Sequence, residues 1–130
     1  MSGPPKPTTQ RKTVMVVEDD SSVREMVKRA LSASFTVVEA ADGLIASEML
    51  GHGATPDLMI CDVMMPKIDG FSLVKLIRAN PELSKMPIIF LTAKATPAAM
   101  VQGIQLGAKH YVQKPFSVKE LFDKVAKILR

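Results

Sequence analysis

The chain is short of several things, and each shortage narrows what it can be. Cys61 is its only cysteine, so no internal disulfide can form. That fits a reducing, cytoplasmic setting. No apolar run approaches the ~20 residues of a membrane span. The N-terminus lacks the apolar stretch of a secretory signal. No glycine-rich nucleotide loop occurs, and no internal repeat beyond a strand–helix alternation is visible. A clustered basic face, which nucleic-acid binding would need, is also missing. The net charge of +4 overstates the case. Lys6, Arg11 and Lys12 lie in residues 1–12, which carry no acid, and the remainder is left at +1.

What remains is a single-domain length of 130 residues, 47% of them hydrophobic, enough for a real core. Residues 1–12, with Gly3, Pro4, Pro5 and Pro7, read as a disordered or extended basic tail. From Thr13 the pattern turns regular. Apolar runs at 13–18, 36–40, 58–62, 87–92 and 110–113 read as strands, apolar throughout because both sheet faces are covered. Helical periodicity falls at 22–32, 43–50, 70–79, 97–106 and 118–129. Ser22-Val23-Arg24-Glu25 and Ser117-Val118-Lys119-Glu120 match capping boxes. Thr96-Pro97 opens the fourth helix. Gly51 and Asn80-Pro81 close the second and third. Five β-α units imply right-handed crossovers and a doubly wound α/β sandwich on a parallel sheet.

In such sheets the ligand sits beyond the carboxyl ends of the strands. Glu18-Asp19-Asp20 follow the first strand, Asp62 ends the third, and Lys114-Pro115 closes the fifth. Carboxylates gathered there repel one another unless a cation lies between them. Oxygen donors suit a hard divalent ion of the magnesium type, and a lysine beside them suits phosphate chemistry.

The segments VVEDDSSVRE, DLMICDVMMPKIDG, PIIFLTA and GAKHYVQKPF, in that order and spacing, make residues 13–130 resemble a response-regulator receiver domain of two-component signalling. The resemblance implies a chemotaxis-type, flavodoxin-like (βα)5 fold, with strand order 2-1-3-4-5 and helices on both faces. It implies that Asp62 accepts a phosphoryl group from a sensor histidine kinase or phosphotransfer protein. Glu18, Asp19, Asp62 and the Met64 backbone carbonyl would hold Mg2+ or Mn2+. Thr92 and Lys114 would bind the phosphoryl oxygens, and Thr92 and Tyr111 would form the switch pair. Pro115 would follow a cis bond, and Pro66 and Gly70 would shape the loop after Asp62. Asp20 falls beyond the acidic pair and reads as an exposed pre-helix residue. Cys61 reads as an inert core thiol, and His52 and His110 as surface residues.

Output would pass through the fourth helix, fifth strand and fifth helix to a downstream protein effector. Neither nucleic acid nor membrane would touch this domain directly. Two positions that tune phosphoryl lifetime are Met64 and Lys94; the apolar Met64 implies slow self-dephosphorylation. Lys109-His110 stand where the winged-helix branch carries acids for dimer salt bridges, although KPFSVKEL still resembles that branch, so a monomer or weak dimer is expected. With no output domain after Arg130, the chain would be either a stand-alone switch or the receiver of a larger regulator. The other classes weighed are a phosphorylation-independent interaction module, which intact Asp62, Thr92 and Lys114 argue against, and a flavin-binding or hydrolytic enzyme. Glu18-Asp19-Asp20 argues against the flavin reading, because it would repel a phosphate in the absence of a metal.

Overall fold

A computed structural model describes residues 11–93 and 96–130. Residues 1–10 of the tail expected at 1–12, and the tuning position Lys94, lie outside them. The order is β1 (Thr13–Val17), α1 (Ser21–Ser32), β2 (Thr36–Ala40), α2 (Gly43–Gly51), β3 (Leu58–Cys61), α3 (Gly70–Ala79), β4 (Ile88–Thr92), α4 (Pro97–Gln105), β5 (His110–Gln113) and α5 (Val118–Leu129). All strand pairs are parallel, in the order β2-β1-β3-β4-β5. This is the doubly wound α/β fold that the alternating pattern implies.

Successive strand residues point to opposite faces, so each central strand feeds two cores. Met15, Val17, Met59, Cys61 and Phe90 face α2 and α3. Val14, Val16, Ile60, Ile89 and Leu91 face α1 and α5. The apolar stripes hold at their centres, with Val27 and Leu31 buried on α1 and Leu121 and Val125 on α5. They open at Met26 and Val118, each 39% exposed.

Several local expectations need correction. The strands are not all apolar: edge strand β2 carries Glu39, which Arg24 and Lys28, one turn apart on α1, approach at 3.5 and 3.3 Å. An edge strand has a solvent side where such a charge is tolerated. Helix α1 starts one residue before Ser22. Asp20 is its cap and accepts from the Ser22 and Val23 amides at 2.9 and 3.2 Å. A short carboxylate at that position satisfies the first free amides directly, so no Ser22–Glu25 box is needed. Helix α2 runs through Gly51, and the chain turns at Gly53, where φ is 103°. Arg11, read from sequence as part of the tail, donates to the Ser32 and Phe35 carbonyls at 2.6 and 2.8 Å.

Candidate functional site

Sheet register brings the chemical residues together. Val17 is level with Cys61, so Glu18 and Asp62 leave adjacent strand ends side by side. The Asp62 amide donates to the Val17 carbonyl at 3.1 Å and fixes that alignment. On the other side, the Lys114 amide donates to the Thr92 carbonyl at 2.8 Å and sets β5's exit beside β4. The Lys114–Pro115 peptide bond is cis.

Asp62 is buried, and its two oxygens have different partners. Oδ1 accepts from the Met64 amide at 3.1 Å, and Oδ2 from Lys114 Nζ at 3.0 Å. Glu18 is 1% exposed. Its Oε2 accepts from the Asp20 amide at 3.1 Å. Its Oε1 lies 2.8 Å from Lys114 Nζ, an ion pair by distance, yet outside the alignment of a hydrogen bond. That oxygen is buried with the Lys114 ammonium beside it. Asp19 is exposed at the rim, and carboxylate oxygens of Glu18, Asp19 and Asp62 lie within 4.8 Å of one another.

The electrostatics follow. Burial pushes the Glu18 carboxyl up to about 7; the Asp62 charge adds to this, while Lys114 and the Asp20 amide offset part of it. Burial pulls the Lys114 ammonium down, but Glu18 and Asp62 outweigh it and hold its pKa above the ordinary lysine value. One lysine faces three carboxylates, so the cluster keeps an excess of negative charge. A buried carboxylate whose Oε1 is held only by the Lys114 ammonium, a second carboxylate on the neighbouring strand and a third at the rim form a hard oxygen donor set. That set fits a divalent ion of the magnesium type.

Thr92 is fully buried. It lines one open depression together with Asp62, Met64, Ala93, Thr96 and Lys114. Tyr111 is half-buried one strand away, its ring centroid 5.9 Å from that of Phe90. Met64, 58% exposed, projects its side chain outward at the mouth. Burial pushes the Cys61 thiol up, as expected of an inert core cysteine. His110 is half-buried rather than superficial; burial and then Lys124 and Lys127 lower its pKa.

Sequence reasoning missed two capping residues that brace this site. Asp42 and Asp69 cap α2 and α3. Gly70 has no room for a Cβ against the Asp62 carbonyl, which lets α3 start directly behind the acid. Asp-Gly ahead of each apolar helix was the available signal.

The comparisons agree with this geometry. A family model described as the response regulator receiver domain matches residues 14–126. The transcriptional regulatory protein GltR of Pseudomonas aeruginosa is 40% identical over 120 residues, 92% of this chain and 49% of that protein. Response regulator MprA of Mycobacterium ulcerans is 38% identical over 118 residues, 90% of this chain and 50% of that one. The chain thus spans about half the length of the curated relatives it matches. Among solved structures, the chemotaxis protein CheY4 of Vibrio cholerae superposes with a TM-score of 0.84 at 33% identity, covering 91% of this chain and 98% of that one. The Mn2+-bound form of response regulator Rcp1 gives 0.77 at 27% identity, covering 90% and 91%. Carboxylates at two adjacent strand ends, a lysine reaching across from a third, and a family match over residues 14–126 have one reading: the chain belongs to the response-regulator receiver family.

Proposed function

We propose that Asp62 is the phosphoacceptor of this receiver. The observation that carries the reading is Lys114 Nζ, 3.0 Å from Asp62 and 2.8 Å from Glu18, one cation set between two buried carboxylates. An Asp62 oxygen attacks the phosphorus of a phosphohistidine on a sensor histidine kinase or phosphotransfer protein. The O–P bond forms, the N–P bond breaks, and the imidazole leaves with the N–P electron pair and takes a proton from solvent. Lys114 and Thr92 take up the negative charge of the transferred group. Glu18, Asp19, Asp62 and the Met64 carbonyl would hold Mg2+ or Mn2+, which supplies charge neutralisation for the phosphoryl oxygens. The Mn2+ reported in Rcp1 supports that choice of ion. The protein is a switch rather than an enzyme acting on other substrates, promoting only its own phosphorylation and dephosphorylation.

The acyl phosphate adds negative charge beside Thr92, and Tyr111 repacks in response. That changes the α4-β5-α5 surface seen by a downstream effector. A few kcal/mol of differential contact suffices for such a shift. Lys109, Lys119, Lys124 and Lys127 make this face lean basic, so its partner presents an acidic surface. No nucleic acid or membrane meets residues 13–130 directly, and no helix among the described residues is long and apolar enough to cross a membrane. We place the domain in the cytoplasm, as a monomer or weak dimer. The apolar Met64 favours a long-lived phosphoryl group.

Incubation with a small phosphodonor and Mg2+, followed by intact-mass measurement, tests the assignment. The parent should gain one base-labile phosphoryl group and Asp62→Asn none. Equal incorporation in both would reject Asp62 as the acceptor.

A further inference from the structure

The loop between β3 and α3 carries Met64 and is pinned at both ends. The Met64 amide donates to Asp62 Oδ1 at 3.1 Å, and the Gly70 amide donates to the Val63 carbonyl at 2.8 Å. Its middle is unusual. The Ile68 amide donates to the Pro66 carbonyl at 2.9 Å, and the residue between them, Lys67, has φ 73°. That bond pattern with positive φ is the strained form of the three-residue γ-turn. Among the described residues Lys67 is the one non-glycine with positive φ. Observed backbone strain beside a reactive group is a reason to ask what it serves.

Two contacts from outside the loop hold the turn, and both come from the start of α2. Lys67 Nζ lies 3.3 Å from Asp42 Oδ2. Gly43 admits the loop: a Cβ there would collide with the Ile68 carbonyl oxygen and with Ile68 Cβ. Asp42 divides its oxygens between two tasks, since Oδ1 accepts from the Ile45 amide at 2.8 Å and caps α2. Its side chain is 10% exposed, whereas Lys67's is 57% exposed. A pair with one end in solvent adds little to global stability. Its consequence is geometric: it fixes the loop's tip against a helix that the core already immobilises.

We propose that Asp42, Gly43 and Lys67 clamp the γ-turn and thereby set the Met64 peptide for divalent-metal binding, with Asp42 and Lys67 as positioning residues. The inference rests on the metal reading given above. Neither side chain touches the cluster of Glu18, Asp19 and Asp62. They act through two loop residues, Met65 and Pro66, and the fixed φ of Pro66 transmits the tip's position back toward Met64.

The test is Mn2+ titration followed by water-proton relaxation, with thermal melting of the metal-free protein in parallel. Asp42→Asn keeps an oxygen for the Ile45 amide and loses the charge pair. It should bind Mn2+ about three- to tenfold more weakly, at the low end of effects from groups that orient metal ligands, with Tm within about 3 °C of the parent. Lys67→Gly should weaken binding similarly while Tm holds or rises, because glycine takes a positive φ without steric cost. A purely structural role would lower Tm along with affinity. Lys67→Arg should restore binding, and the double variant Asp42→Asn/Lys67→Gly should be no weaker than either single one. Parental affinity in both single variants, alongside a loss in Asp19→Asn, would overturn the clamp. No loss in Asp19→Asn would overturn the metal site on which it rests.

Discussion

Helices α3 and α4 flank the same strand, β4, yet they are seated very differently. Helix α3 buries Leu73, Val74 and Ile77 behind the acidic side of the site. Helix α4 buries only Ala99 and Gly103, and its larger apolar residues Met100, Val101 and Ile104 are 39, 53 and 68% exposed. A fully buried aliphatic side chain contributes about 1.5–3 kcal/mol. Moving α3 would forfeit several such terms; moving α4 forfeits almost none. The half that carries Asp62 is backed by large buried side chains, and the half that carries Thr92 and Tyr111 rests against a helix held by small residues. The proposed switch needs that division, because a well-anchored acceptor can then drive a displaceable surface. Arg78, in the last turn of α3, joins the halves at one end. It donates to the Ser84, Met86 and Leu106 carbonyls at 3.0, 2.8 and 2.8 Å, so the C-terminal end of α4 is tied to α3.

The largest expected effect tests the contrast directly. Ile77→Ala should cost about 2–5 kcal/mol, as large-to-small core changes do. Ile104→Ala should stay within about 0.5 kcal/mol, as exposed substitutions do. Urea unfolding of the two variants measures both, and comparable losses would erase the proposed division.

A smaller effect sharpens it. A Cβ on Gly103 would lie 3.1 Å from Tyr111 Cδ2 and 3.3 Å from Phe90 Cδ2, so α4 approaches β5 through that glycine. Gly103→Ala should lose about 1 kcal/mol net, because crowding of about 1–3 kcal/mol exceeds the helical gain of about 1 kcal/mol. Gly51→Ala, with nothing within 4 Å of the added carbon, should instead gain about 0.5–1 kcal/mol. Amide shifts at Tyr111 in Gly103→Ala report the same contact. A stabilised Gly103→Ala with an undisturbed Tyr111 would mean that α4 is not seated on this ring.

The sequence conveyed the fold because the β-α alternation is a local signal, and it conveyed the acidic site because strand ends converge in any sheet of this topology. The contrast between α3 and α4 was not legible. Residues 97–106 carry as many apolar side chains as a packed helix, and only tertiary contact tells which of them point inward. The Asp42–Lys67 pair, the Arg78 tether and the Gly103–Tyr111 approach each join segments far apart in the chain, which periodicity cannot detect. The cap of α1 was misplaced for the opposite reason: Ser22–Glu25 matched a local rule, and the Asp20 carboxylate two residues earlier satisfied the free amides first.

The last effect concerns the acidic half alone. Glu18 titrates at about 7 in the folded protein against an ordinary 4.5, chiefly because it is buried. Between those values the folded state binds the proton and the unfolded state does not. Stability therefore falls as pH rises across that window and levels off above it, since the slope follows the difference in bound protons. A shift of that size is worth up to about 3 kcal/mol, so melting of the metal-free protein from pH 5 to pH 8 should show a decline of about 5–10 °C. Glu18→Gln, which has no proton to lose, should remove most of that slope, and so should saturating Mg2+, which favours the ionised carboxylate. Mg2+ affinity should correspondingly rise with pH through 7 in the parent. If the parent and Glu18→Gln share the same decline, Glu18 is not its source, and neither is His110, whose lowered pKa makes stability rise with pH instead.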